Sequence, residues 1–466
     1  MQFLLLVAGL VAVVWGSLLL FRGGLLAGCL AVLLAGCCFG HSFFHLEMRP
    51  LPITADRVLW VVLMAQFCLL WRWGRLEPLR LGKTEYVLAA LLVVLTASTV
   101  THDWRVDGSQ PMSRLLFYYF LPAGLYLVAR AAPQSERSSR LVFMSLGLFA
   151  LYLAVTAIGE TRQIWALVWP SYIRSPAFPE FFGRGRGPLL NPAGCGLFQS
   201  VGLCAALLLW PRAGTWGRGC LLAAAAVTCY GIYCTLTRSA WIGGALSLAT
   251  LLALTLPLHW RLTVLGTGAL VGCLVVGSQW ERIVSFKRDA RLSATDTAES
   301  AKLRPLLATV AWNMFLDRPL LGCGYGQYLQ ENSSYVEDRS TDLPLPKSRP
   351  YVQHNVWLSL LTETGLAGTL LFTTLLVMWG RHAWRIEHAA AAPAWVRAEA
   401  LLFLAALAAY GANAMFQDVT LIPMVNMLLF FMAGLTEGLR RYVPDGQATV
   451  LLRMRSSAFQ PTAGAH

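Results

Sequence analysis

Apolar runs about as long as a bilayer is thick recur along nearly the whole chain. Thirteen can be marked, at approximately 2–21, 24–40, 58–71, 85–101, 115–129, 141–158, 193–210, 219–236, 239–257, 262–279, 356–380, 398–415 and 421–438. About twenty consecutive apolar residues are what a helix needs to cross the hydrocarbon core. Strands of a spanning barrel would instead alternate in roughly ten-residue units. The pattern predicts an all-α polytopic membrane protein with about 12–13 transmembrane helices. The second, third and fifth runs are short and can extend into their flanks. Residues 1–21 carry neither a basic lead-in nor a small-residue cleavage site, and are expected to be a retained first helix.

The polar intervals set the orientation. Lys and Arg gather in the connections 72–83, 130–140, 211–218 and 381–397 and in the tail after 439. With thirteen spans all of these fall on one side, which the bias of basic loops marks as cytoplasmic. The other face then receives 41–57, 102–114, 159–192, the Thr237-Arg238 turn, 280–355 and 416–420, and the N-terminus lies outside. If the first two runs form one element, the count is twelve and the N-terminus is inside; the later assignments do not change. The chain divides into N-terminal helices (1–183), a second helical group (184–279), a large outer loop (280–355), C-terminal helices (356–439) and a cytoplasmic tail (440–466).

The loop 280–355, between the tenth and eleventh spans, is long for a compact protein, and loops of that length are functional or disordered. Over 297–316 the apolar residues Leu303, Leu306, Leu307, Val310, Ala311, Met314 and Phe315 recur at helical spacing. Asp296 is a candidate cap, and Pro305 marks a kink or a late start. A glycine-rich turn follows, Arg318-Pro319-Leu320-Leu321-Gly322-Cys323-Gly324-Tyr325-Gly326. The polar stretch 332–347 is expected to be mobile.

Composition supports this reading. The 466 residues are 56% hydrophobic and 13% charged, against about 25% charged in soluble domains. The 11 cysteines lie mostly inside apolar runs, with no disulfide or zinc spacing. The net charge of +13 is spread over many short loops. No basic helix or aromatic-interleaved cluster points to nucleic acid. Membrane lipids with anionic headgroups and a phosphate-bearing substrate are the expected partners.

Three stretches can carry chemistry. In Arg349-Pro350-Tyr351-Val352-Gln353-His354-Asn355 a basic, polar run meets the eleventh span. Asn355, Ser359 and Glu363 follow at i, i+4 and i+8, one stripe of that helix. His354 is suited to move a proton near neutral pH; read blandly, it is an interfacial residue, and Ser359 and Glu363 only bridge helices. Arg184-Gly185-Arg186-Gly187-Pro188-Leu189-Leu190-Asn191-Pro192 enters the seventh span. Its glycines and guanidinium forks suit a phosphate, and its Asn-Pro pair suits a helix start. Arg238, in Thr237-Arg238-Ser239-Ala240-Trp241, sits in a tight turn on the same face. Each of these arginines admits a second reading, a side chain snorkelling to headgroups. No cluster of carboxylates or histidines with metal-ligand spacing appears, and no metal or cofactor is expected.

Taken in order, Arg186-Gly187-Pro188-Leu189-Leu190-Asn191-Pro192, Thr237-Arg238-Ser239-Ala240-Trp241, Arg304, the turn 319–326 and His354-Asn355 with Glu363-Thr364-Gly365-Leu366-Ala367-Gly368 resemble the O-antigen ligase and O-antigen polymerase superfamily. The resemblance covers about 184–435. It implies a GT-C-like helical fold in the bacterial inner membrane with a periplasmic active site. It implies metal-independent transfer of a glycan from an undecaprenyl-diphosphate carrier. By motif, Arg186 and Arg238 would engage the diphosphate and His354 would assist the acceptor. Arg184, Arg304, Asn355 and Glu363 would contribute to substrate binding. Gln327-Tyr328 stands where the family often has phenylalanine, which weakens the choice of subfamily. A ligase acting on a lipid A–core acceptor is the first reading, and a polymerase with a lipid-linked glycan acceptor the second. A carrier for a lipid-linked sugar is the rival from another class; it would need paired broken helices near the bilayer midplane.

Overall fold

A computed structural model describes residues 24–40, 43, 54–105, 110–278, 294–338 and 342–443. The first expected span, the beginning of the large loop and most of the tail lie outside these residues. The other twelve runs all fall on helices. They are α1 (Gly24–Phe39), α2 (Ala55–Arg72), α3 (Lys83–Val100), α4 (Pro111–Ala131), α5 (Glu136–Arg162), α6 (Pro192–Leu207), α7 (Thr215–Cys234), α8 (Arg238–Thr255) and α9 (Leu258–Ser278), with α10 (Ala294–Asp317) in the loop. After the loop come α11 (Val356–Glu387), α12 (Ala394–Ala414) and α13 (Pro423–Leu439). The protein is an all-α polytopic membrane protein. Among the described residues, seven helices, α3–α7, α11 and α12, are long and apolar enough to cross a membrane by length and composition. Of the other helices on expected spans, α2 carries three charged residues, Asp56, Arg57 and Arg72, and α13 has 17 residues.

Two helices form the centre. Every residue of α6 from Pro192 to Ala206 is buried, as is every residue of α13 from Val425 to Leu439. α6 packs on α5, α7 and α8, while α13 packs on α4. Asn191 starts α6 as the sequence predicts. Its side chain accepts from the N–H groups of Ala193 (3.0 Å) and Gly194 (3.1 Å), and Pro192 fills the first turn.

The helix ends sort into two groups. At one end Arg441 donates to the Ala132 carbonyl (2.7 Å), Arg212 pairs with Glu136 (2.9 Å) and His382 meets Glu437 (2.5 Å). This end carries the basic connections. At the other end the Tyr172 hydroxyl bonds to the carbonyls of Cys38 (3.1 Å) and Pro188 (2.7 Å). There too Gly185 N–H donates to the Cys234 carbonyl (2.9 Å), and Gln327 Nε2 to the Asp103 carbonyl (2.7 Å).

The loop departs from expectation in two ways. α10 starts at Ala294, so Asp296 lies inside it instead of capping it, and it runs through Pro305. The stretch expected to be mobile is partly packed. Val336 and Leu345 are buried with Leu306, Val310, Met314, Cys323 and Tyr328 in a small core of the loop's own. Tyr335 also donates to Asp317 (2.7 Å). Alternating apolar residues too sparse to mark an element by themselves are enough to seat this chain on α10.

α11 is 32 residues long, roughly 48 Å at helical rise, and it is broken at Gly365 (φ 61°, ψ −158°). The break frees backbone groups, which cost several kcal/mol each if left unpaired in an apolar setting. The glycine-rich turn supplies their partners. Cys323 and Gly324 N–H donate to the carbonyls of Thr362 (2.8 Å) and Glu363 (3.0 Å). Leu366 and Ala367 N–H donate to those of Pro319 (2.8 Å) and Leu320 (3.1 Å). A Cβ on Gly365 would lie 2.4 Å from the Leu320 carbonyl carbon, and one on Gly322 2.5 Å from that of Glu363. Both positions have positive φ, so glycine is required on each side of the contact.

Candidate functional site

The start of α11 fixes the histidine. Asn355 caps the helix, accepting from Trp357 N–H (2.8 Å) and Leu358 N–H (3.1 Å), and its amide donates to the Met415 carbonyl (2.9 Å). Both ends of the side chain are thereby used within the protein. Asn355 ties the loop after α12 to the residue next to His354, and its position is that of a brace more than of a ligand contact. His354 is half-buried. Burial, and then the positive charge of Arg304, hold its pKa below the usual histidine value. The imidazole is therefore neutral at neutral pH and able to accept a proton.

Arg304 projects from α10 and lies over the Phe416 ring, 5.8 Å from the guanidinium to the centroid. Phe416 is one residue beyond the carbonyl that Asn355 holds. Burial and then the charge of Arg238 lower the Arg304 pKa. Arg238 opens α8 and is itself half-buried. Three elements far apart in sequence thus bring Arg238, Arg304 and His354 into one electrostatic neighbourhood. Both guanidinium groups are partly desolvated, and a guanidinium fork has the shape that binds phosphate.

The other two arginines are placed differently. Arg184 is 6% exposed. It donates to Thr237 Oγ1 (2.6 Å) and, at longer range, to the carbonyls of Thr235 (3.4 Å) and Leu236 (3.5 Å), so it holds up the turn that carries Arg238. Arg186 is 0% exposed. It pairs with Glu160 (3.4 Å) and donates to the carbonyls of Ile173 (2.5 Å), Phe178 (2.6 Å) and Glu180 (2.5 Å). Glu160 also accepts from Gly187 N–H (2.6 Å). The expectation that Arg186 meets a diphosphate does not match this placement, because its guanidinium is enclosed by acceptors from its own chain.

Glu363 faces the interior, as its position in the apolar run predicts, but it is 6% exposed and two turns below His354. Its Oε2 accepts from Gly326 N–H (2.9 Å) and helps lock the glycine turn into the break of α11. That placement does not reach a ligand at His354.

Sequence reasoning missed several residues. Glu160, the counterion of Arg186, stands just past an apolar run, and an acid there is a signal for a buried partner. Phe416 and Met415 belong to the short outer connection 416–420 and its edge, where nothing but the proximity of helix ends points to them. Asp418, the lone acid of that connection, accepts from the Thr420 hydroxyl (2.5 Å) and N–H (3.2 Å), and burial raises its pKa. Among the described residues no three His, Cys, Asp or Glu side chains gather as metal ligands would.

Among curated proteins no similar sequence is found. The family described as O-antigen ligase matches residues 223–373, a segment that leaves out Arg184 and Arg186. Over those residues, which hold Arg238, Arg304, His354 and the glycine turn that enters α11, this membrane protein carries a domain of the O-antigen ligase family, within the ligase and polymerase superfamily that its motifs resemble.

Proposed function

We propose that the protein is a metal-independent membrane glycosyltransferase of O-antigen ligase type. It moves a glycan from undecaprenyl diphosphate to a hydroxyl of a lipid A–core acceptor. The site faces the periplasm of a bacterial inner membrane, because the basic connections gather at the opposite end of the bundle. The observation that carries the reading is the convergence of Arg238, Arg304 and His354 inside the family-matched segment.

The acceptor oxygen attacks the anomeric carbon while the bond from that carbon to the diphosphate oxygen breaks. Negative charge grows on the leaving diphosphate, and Arg238 and Arg304 stand where it can be stabilised, without reorganisation, as preorganised electrostatic catalysis requires. Arg304 takes the part expected of Arg186. The neutral imidazole of His354 accepts the proton of the attacking hydroxyl. A carrier function is less well supported. The backbone groups freed at the break of α11 are satisfied by the turn 319–326, whereas a carrier would keep them for its cargo.

The test incubates the purified protein with an undecaprenyl-diphosphate glycan and, separately, lipid A–core or a second lipid-linked glycan. Glycan gained by lipid A–core supports the ligase, and elongation of the lipid-linked glycan would make it a polymerase using the same three residues. Activity should survive EDTA. Loss on chelation, restored by Mg²⁺ or Mn²⁺, would defeat the proposed mechanism. His354→Ala should keep donor binding and lower turnover by about 10²–10⁴, while Arg238→Ala should weaken donor binding.

A further inference from the structure

Exposed apolar side chains crowd the turn that leads from α10 to the break of α11. Leu320 and Leu321, in that turn, are 69% and 67% exposed. Trp312 and Leu316, one helical turn apart near the end of α10, are exposed on the approach to it. The two charged residues between these leucines are held by the loop itself. Asp317 accepts from the Tyr335 hydroxyl (2.7 Å), and Arg318 pairs with Glu331 (3.1 Å). An apolar patch of this kind marks contact with another body.

α11 fixes the depth of the patch. The turn is pinned to it at the break, with Leu366 and Ala367 N–H on the carbonyls of Pro319 and Leu320. From that point on, Leu366, Leu370 and Val377 are exposed at the spacing of one helix face, on a helix long and apolar enough to cross a membrane. That face meets lipid, and the turn continues it. The first charged residue of α11 after Gly365 is Arg381, roughly 24 Å further along at helical rise. The hydrocarbon core is about 30 Å thick, and any tilt of the helix shortens the climb. With Arg381 at the far edge of the core, the break lies inside the near edge. Counted from Arg385 instead, one turn on, the break only reaches that edge. Irregular backbone survives at such a depth when it is paired. Besides the four bonds to α11, Gly322 N–H donates to the Arg318 carbonyl (3.0 Å).

We propose that the turn 319–321 and the end of α10 are seated in the membrane leaflet nearer His354, with Leu316, Leu320 and Leu321 among its acyl chains. Trp312, a turn further from the membrane, stands where an indole ring is favoured, at the level of the headgroups. The large loop is then anchored at this turn and does not float above the site in water. α10, which carries Arg304, is held by the anchor at a fixed height over the bilayer. A second copy of the chain is the rival occupant. The continuity of the patch with the lipid-facing side of α11, at the depth of acyl chains, favours lipid. The inference needs only the span of α11 and no reading of the reaction.

The test replaces single residues of the full-length protein with photoreactive benzoylphenylalanine, in nanodiscs of phosphatidylglycerol and phosphatidylcholine, and reads the cross-linked products by mass. Leu370, on the lipid-facing side of α11, is the positive reference, and Lys347, exposed in the polar part of the loop, the negative. A probe at Leu321 should give lipid adducts within about threefold of the Leu370 position and about tenfold or more above the Lys347 position, as a side chain inside the hydrocarbon requires. A yield at the Lys347 level, or adducts to a second copy of the chain in place of lipid, overturns the proposal. A probe at Leu316 then tests the anchor. Adding Leu320→Asp and Leu321→Asp should cut its lipid adducts about tenfold, because a carboxylate is costly in hydrocarbon. Both leucines are exposed, so thermal unfolding should stay near the parent's. Undiminished adducts at Leu316 in the folded double variant show that the leucines do not hold this segment in the bilayer, and sink the inference. Should the double variant not fold, the probe at Leu321, which alters one exposed side chain, judges the placement by itself.

Discussion

Two pairs of arginines stand at the same end of this protein and look alike in sequence. Each lies within one residue of a glycine, serine or proline. Arg184 and Arg186 are buried and bonded to carbonyls and to a carboxylate of their own chain. Arg238 and Arg304 are half-buried, and burial, then the charge of Arg238, lowers the Arg304 pKa. The contrast shows what separates a brace from a binding group. It is not the residue type or the motif, but how deeply the guanidinium is enclosed: Arg186 is 0% and Arg184 6% exposed, whereas Arg238 and Arg304 stay half-buried. A guanidinium surrounded by its own carbonyls has little to offer a ligand.

The comparison can be broken most forcefully at Arg186. Arg186→Ala leaves Glu160 buried without its cation and three carbonyls without their donor. Removing one partner of a buried pair costs about 3–5 kcal/mol, so thermal unfolding in detergent should shift down by many degrees. Arg238→Ala should cost about 1 kcal/mol or less, as half-exposed positions usually do. Equal destabilisation by the two substitutions would erase the distinction.

Activity should divide the pairs the other way. Arg238→Ala and Arg304→Ala should each lower turnover by about 10²–10³, the usual cost of losing one preorganised donor to developing charge, with unfolding temperatures near the parent's. Arg238→Lys keeps the charge but loses the fork and should retain part of donor binding. Full turnover in either alanine variant would remove that residue from the mechanism.

These contrasts also show what the sequence made legible. The helices were readable because apolar length is a direct consequence of the bilayer. His354 and Arg238 could be singled out because both sit where a helix meets a polar connection. Arg304 was harder, since its neighbourhood depends on α10 folding back over the connection 416–420. Arg186 was misplaced because its acceptors are backbone carbonyls of 173–180, which no side-chain pattern reveals, and because Glu160 lies on a different helix. Glu363 was read correctly as facing inward. Its partner, the Gly326 N–H, belongs to a turn whose entry into a broken helix depends on positive φ at Gly322 and Gly365. Spacing alone does not report that conformation.

The half-open pair also sets a pH dependence. His354 has a pKa depressed by burial and by Arg304, so the neutral base persists below the usual histidine value. Activity should be level near neutral pH and fall about tenfold per pH unit once the pH drops through that depressed value. The same group subtracts stability as pH falls below about 6.5, because the unfolded chain then binds the proton more readily. Arg304→Gln removes one of the two causes of the depression. The acid limb of kcat/KM should therefore move to higher pH, although turnover is lower throughout. A limb that stays in place would show that Arg304 does not act on His354.

The smallest expected effect lies at Arg184, which joins the two pairs. Its guanidinium donates to Thr237 Oγ1 at 2.6 Å and reaches the Thr235 and Leu236 carbonyls, and its ring contact with Phe181 is 5.0 Å. The next residue after Thr237 is Arg238, so Arg184 positions the donor-binding arginine without touching the donor. Arg184→Ala leaves those acceptors unmet at a cost of about 1–2 kcal/mol, well below that of Arg186→Ala. The turn should loosen, and donor KM should rise severalfold with a smaller change in turnover at saturating donor. Arg184→Lys can still reach the Thr237 hydroxyl with one donor and should recover most of the donor affinity. That rescue separates support from ligand contact, because a residue gripping phosphate with its fork would not be replaced by an ammonium. If Arg184→Lys were as poor as Arg184→Ala in donor KM, with stability restored, Arg184 would belong with Arg238 and Arg304 as a binding group.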